Sequence, residues 1–191
     1  MDHVPRIRRH FADSAQLKLD AAELLAPAIA NAAAVMTGAL LADGKVLACG
    51  NGGSAADAQH FAAELVGRFE RERRAIAAVA LTADTSILTA IANDDGYAHV
   101  FARQVEALGR AGDVLLGIST SGGSANVVEA QAAAKAAGLT TVALTGRDGG
   151  ALGAAADIHI NVPSPSTARV QEVHRTLLHA MCELVERELY V

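Results

Sequence analysis

The sequence contains no tryptophan and few other aromatic residues, with two tyrosines and four phenylalanines among its 191 residues. Because hydrophobic residues still make up 51% of the chain, the core must be built from Ala, Val, Leu and Ile. Cysteine is also scarce: Cys49 and Cys182 are too few for a disulfide framework and fit a reducing compartment. The length is sufficient for one domain with a substantial core.

The chain also lacks an excess of positive charge and a targeting segment. Its net charge of −5 gives no electrostatic reason to expect nucleic-acid binding. The first residues, MDHVPRIRRHFADS, include basic side chains but no apolar h-region and no cleavage signal. We find no apolar run of the roughly 18 residues that a membrane span needs. We therefore expect a cytoplasmic protein that binds neither nucleic acid nor a membrane.

Short apolar runs alternate with Ala-rich helical segments along the chain. Strands are predicted at 45–50, 76–82, 113–119, 140–145 and 157–162. Helices are predicted at 55–67, 85–92, 98–108, 125–137 and 168–190, with one or two more within 9–41. Apolar strands separated by helices indicate a parallel sheet that is buried on both faces.

The expected fold is therefore a doubly wound α/β domain that spans residues 1–191. A helical segment at 1–41 precedes a parallel α/β core at 42–191. In such folds ligands bind beyond the carboxyl ends of the strands, so the loops at those ends are the first place to look for a site.

Two loops at predicted strand ends have the composition of ligand-binding loops. The first, NGGS at 51–54, allows close approach of a ligand, but it has neither GxGxxG spacing nor a P-loop lysine. The second, STSGGS at 119–124, places four hydroxyls and two glycines at a helix start, which suits a phosphate. Its alternative interpretation is a helix cap, which Ser124 alone could provide. A third loop, TGRDGG at 145–150, is interpreted as a turn.

Histidine and carboxylate side chains on two predicted helices form a candidate metal site. His60 and Glu64 are four residues apart and share one helical face. Gln171 and His179 are eight residues apart on the last helix, about 80° around it, and share a stripe. His174 lies off that stripe, where a packed histidine is an equally good interpretation. Two histidines, a glutamate and a glutamine form a plausible site for a divalent transition metal such as zinc.

Five segments together match one family: CGNGGSAADAQHFAAEL, LTAIANDDGYAHVF, GDVLLGISTSGGSANV, VALTGRDGG and ARVQEVH. They run in the family's order from about residue 45 to residue 179, and on them the chain resembles the sugar isomerase (SIS) domain family, in its phosphoheptose isomerase branch. The resemblance implies a three-layer αβα fold with a five-stranded parallel sheet and N-terminal helices. It also implies a homotetramer whose active sites lie at subunit interfaces.

The resemblance further implies roles for single residues. It implies acid/base roles for Glu64 and His179. The implied zinc ligands are His60, Glu64, Gln171 and His179. The implied substrate contacts are Asn51, Gly52, Gly53, Glu64, Asn93, Asp94, Ser119, Thr120, Ser121, Ser124 and Gln171.

Three further positions relate to the family's pattern. Arg68 matches an arginine that lies near the site in some members. Gly123 stands where members often have asparagine, beside the predicted phosphate loop. Ala168 stands where some members have an acidic residue near the substrate, so we do not expect that contact here.

The activity that the resemblance implies is an aldose–ketose isomerisation. Sedoheptulose 7-phosphate would be converted to D-glycero-D-manno-heptose 7-phosphate through an enediol, as the first step of ADP/GDP-heptose precursor synthesis. The alternatives are an isomerase of another sugar phosphate and a non-catalytic regulator that resembles the DnaA initiator-associating protein. That regulator branch tends to lose the carboxylate and the histidine that correspond to Glu64 and His179, and this chain retains both.

Overall fold

A five-stranded parallel sheet forms the centre of the fold in a computed structural model, which describes residues 2–190. The strands are β1 (Val46–Gly50), β2 (Ala78–Ala80), β3 (Val114–Ser119), β4 (Thr140–Gly146) and β5 (Ile158–Val162). They lie in the order β2-β1-β3-β4-β5, and every neighbouring pair is parallel. The predicted parallel sheet is confirmed, and the direction of winding reverses between β1 and β3.

Helices cover both faces of the sheet. They are α1 (Val4–Leu41), α2 (Gly53–Val66), α3 (Thr85–Asp94), α4 (Ala102–Leu108), α5 (Ala125–Ala136), α6 (Gly150–Ala155) and α7 (Thr167–Leu189). Successive strand residues point to opposite faces, so Val46 and Ala48 pack beneath α1, α2 and α7. Leu47 and Cys49 pack instead with residues of α3, α4, α5 and α6. This three-layer arrangement places α2 and α7 side by side on one face.

Helix α1 is one continuous helix that passes through Pro27, where the sequence predicted one or two helices. By length and composition alone it is long and apolar enough to cross a membrane, since 18 consecutive residues have a mean hydropathy of 1.8. This segment was not identified among the apolar runs of the sequence. In the fold, however, its buried residues belong to the core. Ala21, Leu25 and Ile29 pack in the same apolar cluster as Val173 and Leu177 of α7.

Two helical segments differ from the predictions by more than a shift of one or two residues at an end. The segment predicted as one helix at 98–108 is a 3₁₀ turn at Tyr97–His99 followed by α4, which begins at Ala102. Helix α6 was not predicted, since its six residues, GALGAA, carry no amphipathic pattern long enough to recognise. The short α6 begins directly after the third loop, so that loop is a turn that leads into a helix.

A buried carboxylate fixes the amino ends of the central strands, at the end of the sheet away from the loops at 51–54 and 119–124. Asp113 accepts hydrogen bonds from the backbone N–H groups of Lys45 and Arg110, each at 2.9 Å, and pairs with the Lys45 ammonium. Burial alone would raise the pKa of Asp113, but the bonds from Lys45 and Arg110 outweigh it and hold the pKa below its ordinary value.

Candidate active site

The candidate site lies at the carboxyl ends of β1 and β3. These strands are neighbours in register, with Gly50 opposite Ile118, so the loops that follow them lie side by side. The winding direction reverses between these two strands, and ligands of doubly wound folds bind at such a point. The fold therefore brings the two predicted ligand-binding loops together, although they are far apart in the sequence.

A pair of asparagines joins the first loop to the helix after the second. Asn51 Nδ2 donates to Asn126 Oδ1, and Asn126 Nδ2 donates back to Asn51 Oδ1, both at 2.8 Å. The Tyr97 hydroxyl also donates to Asn51 Oδ1 at 3.3 Å. The amide nitrogen and the amide oxygen of Asn51 thus both form hydrogen bonds within the protein. Its neighbours Gly52, with φ of 54°, and Gly53 leave exposed backbone at the start of α2.

The second loop holds its hydroxyls in a cluster at the start of α5. Ser119 Oγ lies 2.9 Å from Ser124 Oγ and 3.5 Å from Ser121 Oγ, and the Gly123 N–H donates to Ser121 Oγ at 3.2 Å. Ser124 occupies the N-cap position of α5, but its side chain makes no capping hydrogen bond, so capping does not account for the four hydroxyls of this loop. Hydroxyls and backbone N–H groups at an uncapped helix start form a good environment for an anion.

The third loop packs directly against the second. Gly122 has a φ of 65°, and a Cβ at this position would lie 1.9 Å from the carbonyl oxygen of Gly149. The Leu152 N–H donates to the Gly122 carbonyl at 2.9 Å, which ties the start of α6 to the hydroxyl loop. The predicted turn therefore serves as a wall that fixes the conformation of residues 119–124.

We expect Gly122→Ala to lower the free energy of unfolding by roughly 2–5 kcal/mol, because it adds left-handed backbone strain to a backbone clash. The matched control is Gly123→Ala, since a Cβ at Gly123 would meet only Ser121 Oγ, at 3.8 Å. Urea unfolding monitored by circular dichroism measures both effects. Equal stability of the two variants would show that the third loop does not constrain the second.

His60, Glu64 and His179 form a reactive cluster between α2 and α7, about two to three turns along α2 from the first loop. The Nε2 atoms of His60 and His179 are 2.8 Å apart, and His60 Nε2 lies 3.3 Å from Glu64 Oε1. One donor atom from each of the three residues lies within 4.8 Å of the other two, and all three side chains are partly buried. His60 and Glu64 come from α2 and His179 from α7, so the packing of these two helices creates the cluster.

The electrostatic surroundings favour a neutral His60. Burial lowers the pKa of His60 below its ordinary value, and the nearby positive charge of Arg175 adds to this effect. Arg175 lies on α7 and pairs with Asp57 of α2, its Nη2 lying 2.6 Å from Asp57 Oδ1. Neutral imidazole is the form of histidine that binds a metal ion or accepts a proton.

Gln171 lies against the first loop, where a Cβ on Gly53 would come within 2.3 Å of its Nε2 atom. Gln171, Gly53, Asp57 and Arg175 line an open groove of 530 Å³ beside α2 and α7. Eight helical residues separate Gln171 from His179, a rise of about 12 Å along α7. The fold thus places Gln171 at the amino end of α2, two turns from the His60 and His179 rings.

Asn93 and Asp94 lie exposed at the end of α3, where Asn93 Nδ2 donates to Asp94 Oδ1 at 2.8 Å. Arg68 is also exposed and pairs with Glu72 at 3.0 Å. Ala168 is exposed near the start of α7 and lines the same groove as Gln171. The 3₁₀ turn after α3 approaches the first loop through the Tyr97 hydroxyl.

His174 is a packed histidine, as one of its two interpretations proposed. It is fully buried, and its Nε2 atom lies 2.9 Å from the Thr145 carbonyl oxygen. Burial lowers its pKa to about 4, so the ring is neutral near pH 7. His174 therefore supports the end of β4.

Sequence reasoning missed four residues that shape the site: Asp57, Tyr97, Asn126 and Arg175. A signal existed for Arg175, because it lies midway between Gln171 and His179 on the same helical stripe. Asp57 precedes His60 by one turn and is 3% exposed, with its Oδ2 atom unpartnered among the described residues. Tyr97 and Asn126 gave no signal, because their hydrogen bonds depend on tertiary contacts.

The chain is similar over nearly its full length to known proteins. A profile of the SIS domain family matches residues 10–146. The chain is 59% identical over 189 residues to a phosphoheptose isomerase of Aromatoleum aromaticum, which covers 97% of this chain and 96% of that protein. It is 58% identical over 187 residues to a phosphoheptose isomerase of Neisseria gonorrhoeae, with 96% and 95% covered.

Solved structures show the same similarity. A phosphoheptose isomerase from Neisseria gonorrhoeae matches with a TM-score of 0.93 and 54% identity, covering 97% of this chain and all 100% of that one. A phosphoheptose isomerase from Francisella tularensis matches with a TM-score of 0.94 and 42% identity, covering 98% and 100%. The expected three-layer fold is confirmed, and the chain belongs to the SIS domain family and, within it, to the phosphoheptose isomerases.

Proposed function

We propose that this chain is an aldose–ketose isomerase that converts sedoheptulose 7-phosphate into D-glycero-D-manno-heptose 7-phosphate, the first step of heptose precursor synthesis. The observation that carries this proposal is the convergence of His60, Glu64 and His179 between α2 and α7, in a fold whose helix α2 begins directly after the loop at 51–54. High identity to phosphoheptose isomerases across almost the whole chain supports the same activity.

The substrate phosphate is proposed to bind at residues 119–124. The hydroxyls of that loop and the backbone N–H groups at the start of α5 donate hydrogen bonds, and the helix dipole favours an anion there. The sugar chain then extends toward the loop at 51–53. The proposed contacts are Asn51, Gly52, Gly53, Glu64, Asn93, Asp94, Ser119, Thr120, Ser121, Ser124 and Gln171.

Zinc is the proposed cofactor. The donor set fits this ion, since two imidazole nitrogens and a carboxylate oxygen converge within 4.8 Å and His60 is held neutral by burial. His60, Glu64 and His179 would hold it. The resemblance adds Gln171 as the proposed fourth ligand, which would require its side chain to turn from Gly53 toward the two rings. Bound there, zinc would supply Lewis-acid chemistry, which would polarise the substrate carbonyl and stabilise negative charge on the oxygens of the reacting carbons.

Two side chains carry the proton transfers in the proposed mechanism. Glu64 removes a proton from C1 of the ketose, and the electron pair forms the C1–C2 double bond of a cis-enediol while the C2 oxygen gains a proton. Loss of the O1 proton then re-forms a carbonyl at C1, and C2 receives a proton. His179 lies within reach of the same centre and is assigned the exchange at the oxygens and at C2, although the two roles can be interchanged.

A non-catalytic regulator is the less favoured alternative. A regulator needs neither a convergent pair of histidines nor a carboxylate, whereas this chain places all three within one cluster. The named relatives at 58% and 59% identity are isomerases. An isomerase acting on a different sugar phosphate remains the second candidate, because the same loops recognise the shared phosphate.

A cytoplasmic homotetramer with active sites at subunit interfaces is the proposed assembly. Helix α1 supports it, because large apolar side chains on its surface lack cover within one chain. Phe11 is 73% exposed, Leu19 65% and Leu24 62%. A partner subunit that packed on α1 would remove these side chains from water. The two buried, unpaired cysteines agree with a reducing compartment.

A coupled assay with sedoheptulose 7-phosphate tests the function and the metal together. We expect turnover in the protein as purified, loss of turnover after dialysis against a chelator, and recovery on addition of Zn²⁺. Absence of turnover under every metal condition would contradict the isomerase assignment and favour the regulator. Full turnover after verified metal removal would contradict only the zinc assignment.

A further inference from the structure

A buried ion pair connects α7 to the segment that follows α2, and these two helices carry the reactive cluster. Arg73 Nε donates to Glu186 Oε1 at 2.8 Å, and the two side chains are only 1% and 2% exposed. Arg73 belongs to the segment after α2, and Glu186 lies on α7 about two turns beyond His179. The pair thus joins the two helices that supply His60, Glu64 and His179.

Arg73 holds the carboxyl-terminal end of α2. Its Nη2 donates to the Glu64 carbonyl and its Nη1 to the Leu65 carbonyl, both at 2.8 Å, with a longer bond to Gly67. The last carbonyls of a helix have no partner within the helix, so one guanidinium satisfies several of them. One of these carbonyls belongs to Glu64 itself, which fixes the backbone from which the proposed base extends.

Glu186 holds the segment that packs on the other reactive residue. Its carboxylate accepts bonds from the backbone N–H groups of Phe69, Glu70 and Arg71, at 3.4, 3.1 and 3.0 Å. The Phe69 ring lies against the His179 imidazole, with centroids 5.5 Å apart. Burial alone would raise the pKa of Glu186, but the bonds from Glu70, Arg73 and Arg71 outweigh it and keep the pKa low.

We propose that the Arg73–Glu186 pair positions Glu64 and His179 relative to each other, so that both side chains meet at one metal ion and at the two adjacent reacting carbons of the substrate. This proposal rests on the proposed metal-dependent isomerase function. Arg73 acts on Glu64 through its main chain, and Glu186 acts on His179 through the Phe69 ring. Both are positioning residues, since neither contacts the reacting atoms.

If the Arg73–Glu186 pair only stabilised the fold, it would not need to contact the segments that carry Glu64 and pack on His179. The Lys45–Asp113 pair also fixes chain segments through a buried carboxylate, but it lies at the amino ends of the strands. Loss of either pair should destabilise the fold by a similar mechanism. Only loss of the Arg73–Glu186 pair should change the geometry of the reactive cluster.

The test compares Glu186→Gln and Arg73→Lys with the matched control Asp113→Asn. Zn²⁺ affinity is measured by competition with a chromophoric chelator, cluster geometry by the visible spectrum of the Co²⁺ form, and kcat and KM at a temperature where every variant is folded. We expect Zn²⁺ affinity to fall about 10–100-fold in the two test variants, with a lower kcat and an altered Co²⁺ spectrum. Asp113→Asn should lose stability while keeping its Zn²⁺ affinity and spectrum.

Phe69→Leu provides a second route to the same answer if the ion-pair variants do not fold. It keeps the ion pair and removes the ring that packs on His179, and we expect a shifted Co²⁺ spectrum and a reduced kcat. Unchanged Zn²⁺ affinity and kcat in Phe69→Leu and in any folded ion-pair variant would contradict the positioning role. Absence of both Zn²⁺ binding and turnover in the unmodified protein would instead contradict the proposed function on which this role rests.

Discussion

Replacing Glu64 by glutamine is expected to lower kcat for the isomerisation by roughly 10²–10⁴-fold, the usual cost of losing a general base. The glutamine has nearly the same shape and keeps an oxygen that can contact a metal, but its amide does not accept a proton from C1. The Glu64 backbone, held by Arg73, should be unaffected. The coupled assay measures kcat, with the metal content of each preparation determined in parallel.

The matched control is Glu183→Gln, which changes a half-exposed carboxylate on α7 that pairs with Arg187. We expect this control to retain full turnover, because an exposed i,i+4 pair contributes little to stability and lies outside the cluster. If Glu64→Gln turned over as fast as the control at equal zinc content, Glu64 would not be the base. If kcat in Glu64→Gln fell only in proportion to its zinc content, the role of Glu64 would be limited to metal binding.

His179→Gln should reduce net isomerisation by a comparable factor, roughly 10²–10⁴-fold, but for a different reason. If Glu64 removes the C1 proton and His179 serves the oxygens and C2, the variant can still form some enediol and return it to ketose. In D₂O we therefore expect deuterium to enter C1 of unreacted sedoheptulose 7-phosphate. Proton NMR of the recovered ketose measures this exchange.

The same exchange experiment separates the two assignments. Glu64→Gln should show neither exchange nor product, whereas His179→Gln should show exchange with little product. The reverse pattern would interchange the two roles and leave the enediol mechanism intact. His99→Gln, at an exposed position on the 3₁₀ turn, is the control and should match the unmodified protein in both measurements.

The sheet and its loops were predictable because their signals are local. Strand β3, for example, is a nearly continuous apolar run that leads directly into the hydroxyls and glycines of the loop at 119–124. The fold class then requires parallel strands, which place all of these loops at one end of the sheet. The position of both loops at one end of the sheet thus followed from the order of elements, but their proximity depends on β1 lying next to β3, which the sequence did not predict.

The convergence of His60, Glu64 and His179 was only partly predictable. Helical spacing placed His60 next to Glu64, but nothing local showed that α7 packs beside α2. That contact depends on which face of the sheet each helix covers, and hence on the handedness and order of the strand connections. The resemblance to a known family implied that the three residues belong to one site, and the structure brings them together.

The long-range polar pairs were not predicted from the sequence. The residues of the Arg73–Glu186 pair are 113 positions apart, and those of the Asn51–Asn126 pair are 75 apart. Arg73 belongs to a run of alternating charges, RERR at 71–74, that looks like a solvated loop. Only the packing of α7 over this segment removes one of its arginines from water. The burial of one charged residue within a polar segment therefore cannot be recognised from the sequence before the tertiary contacts are known.

The reciprocal bonding of Asn51 and Asn126 limits how the site can be redesigned. Replacing either side chain removes both hydrogen bonds between them and leaves the amide nitrogen of the other without its partner, at a cost of about 1–3 kcal/mol where it is buried. Asn126 is only 4% exposed, so solvent offers little relief. A library of single substitutions will score both positions as intolerant, although matched double substitutions escape that penalty. Efforts to alter substrate selectivity should therefore randomise the two positions together.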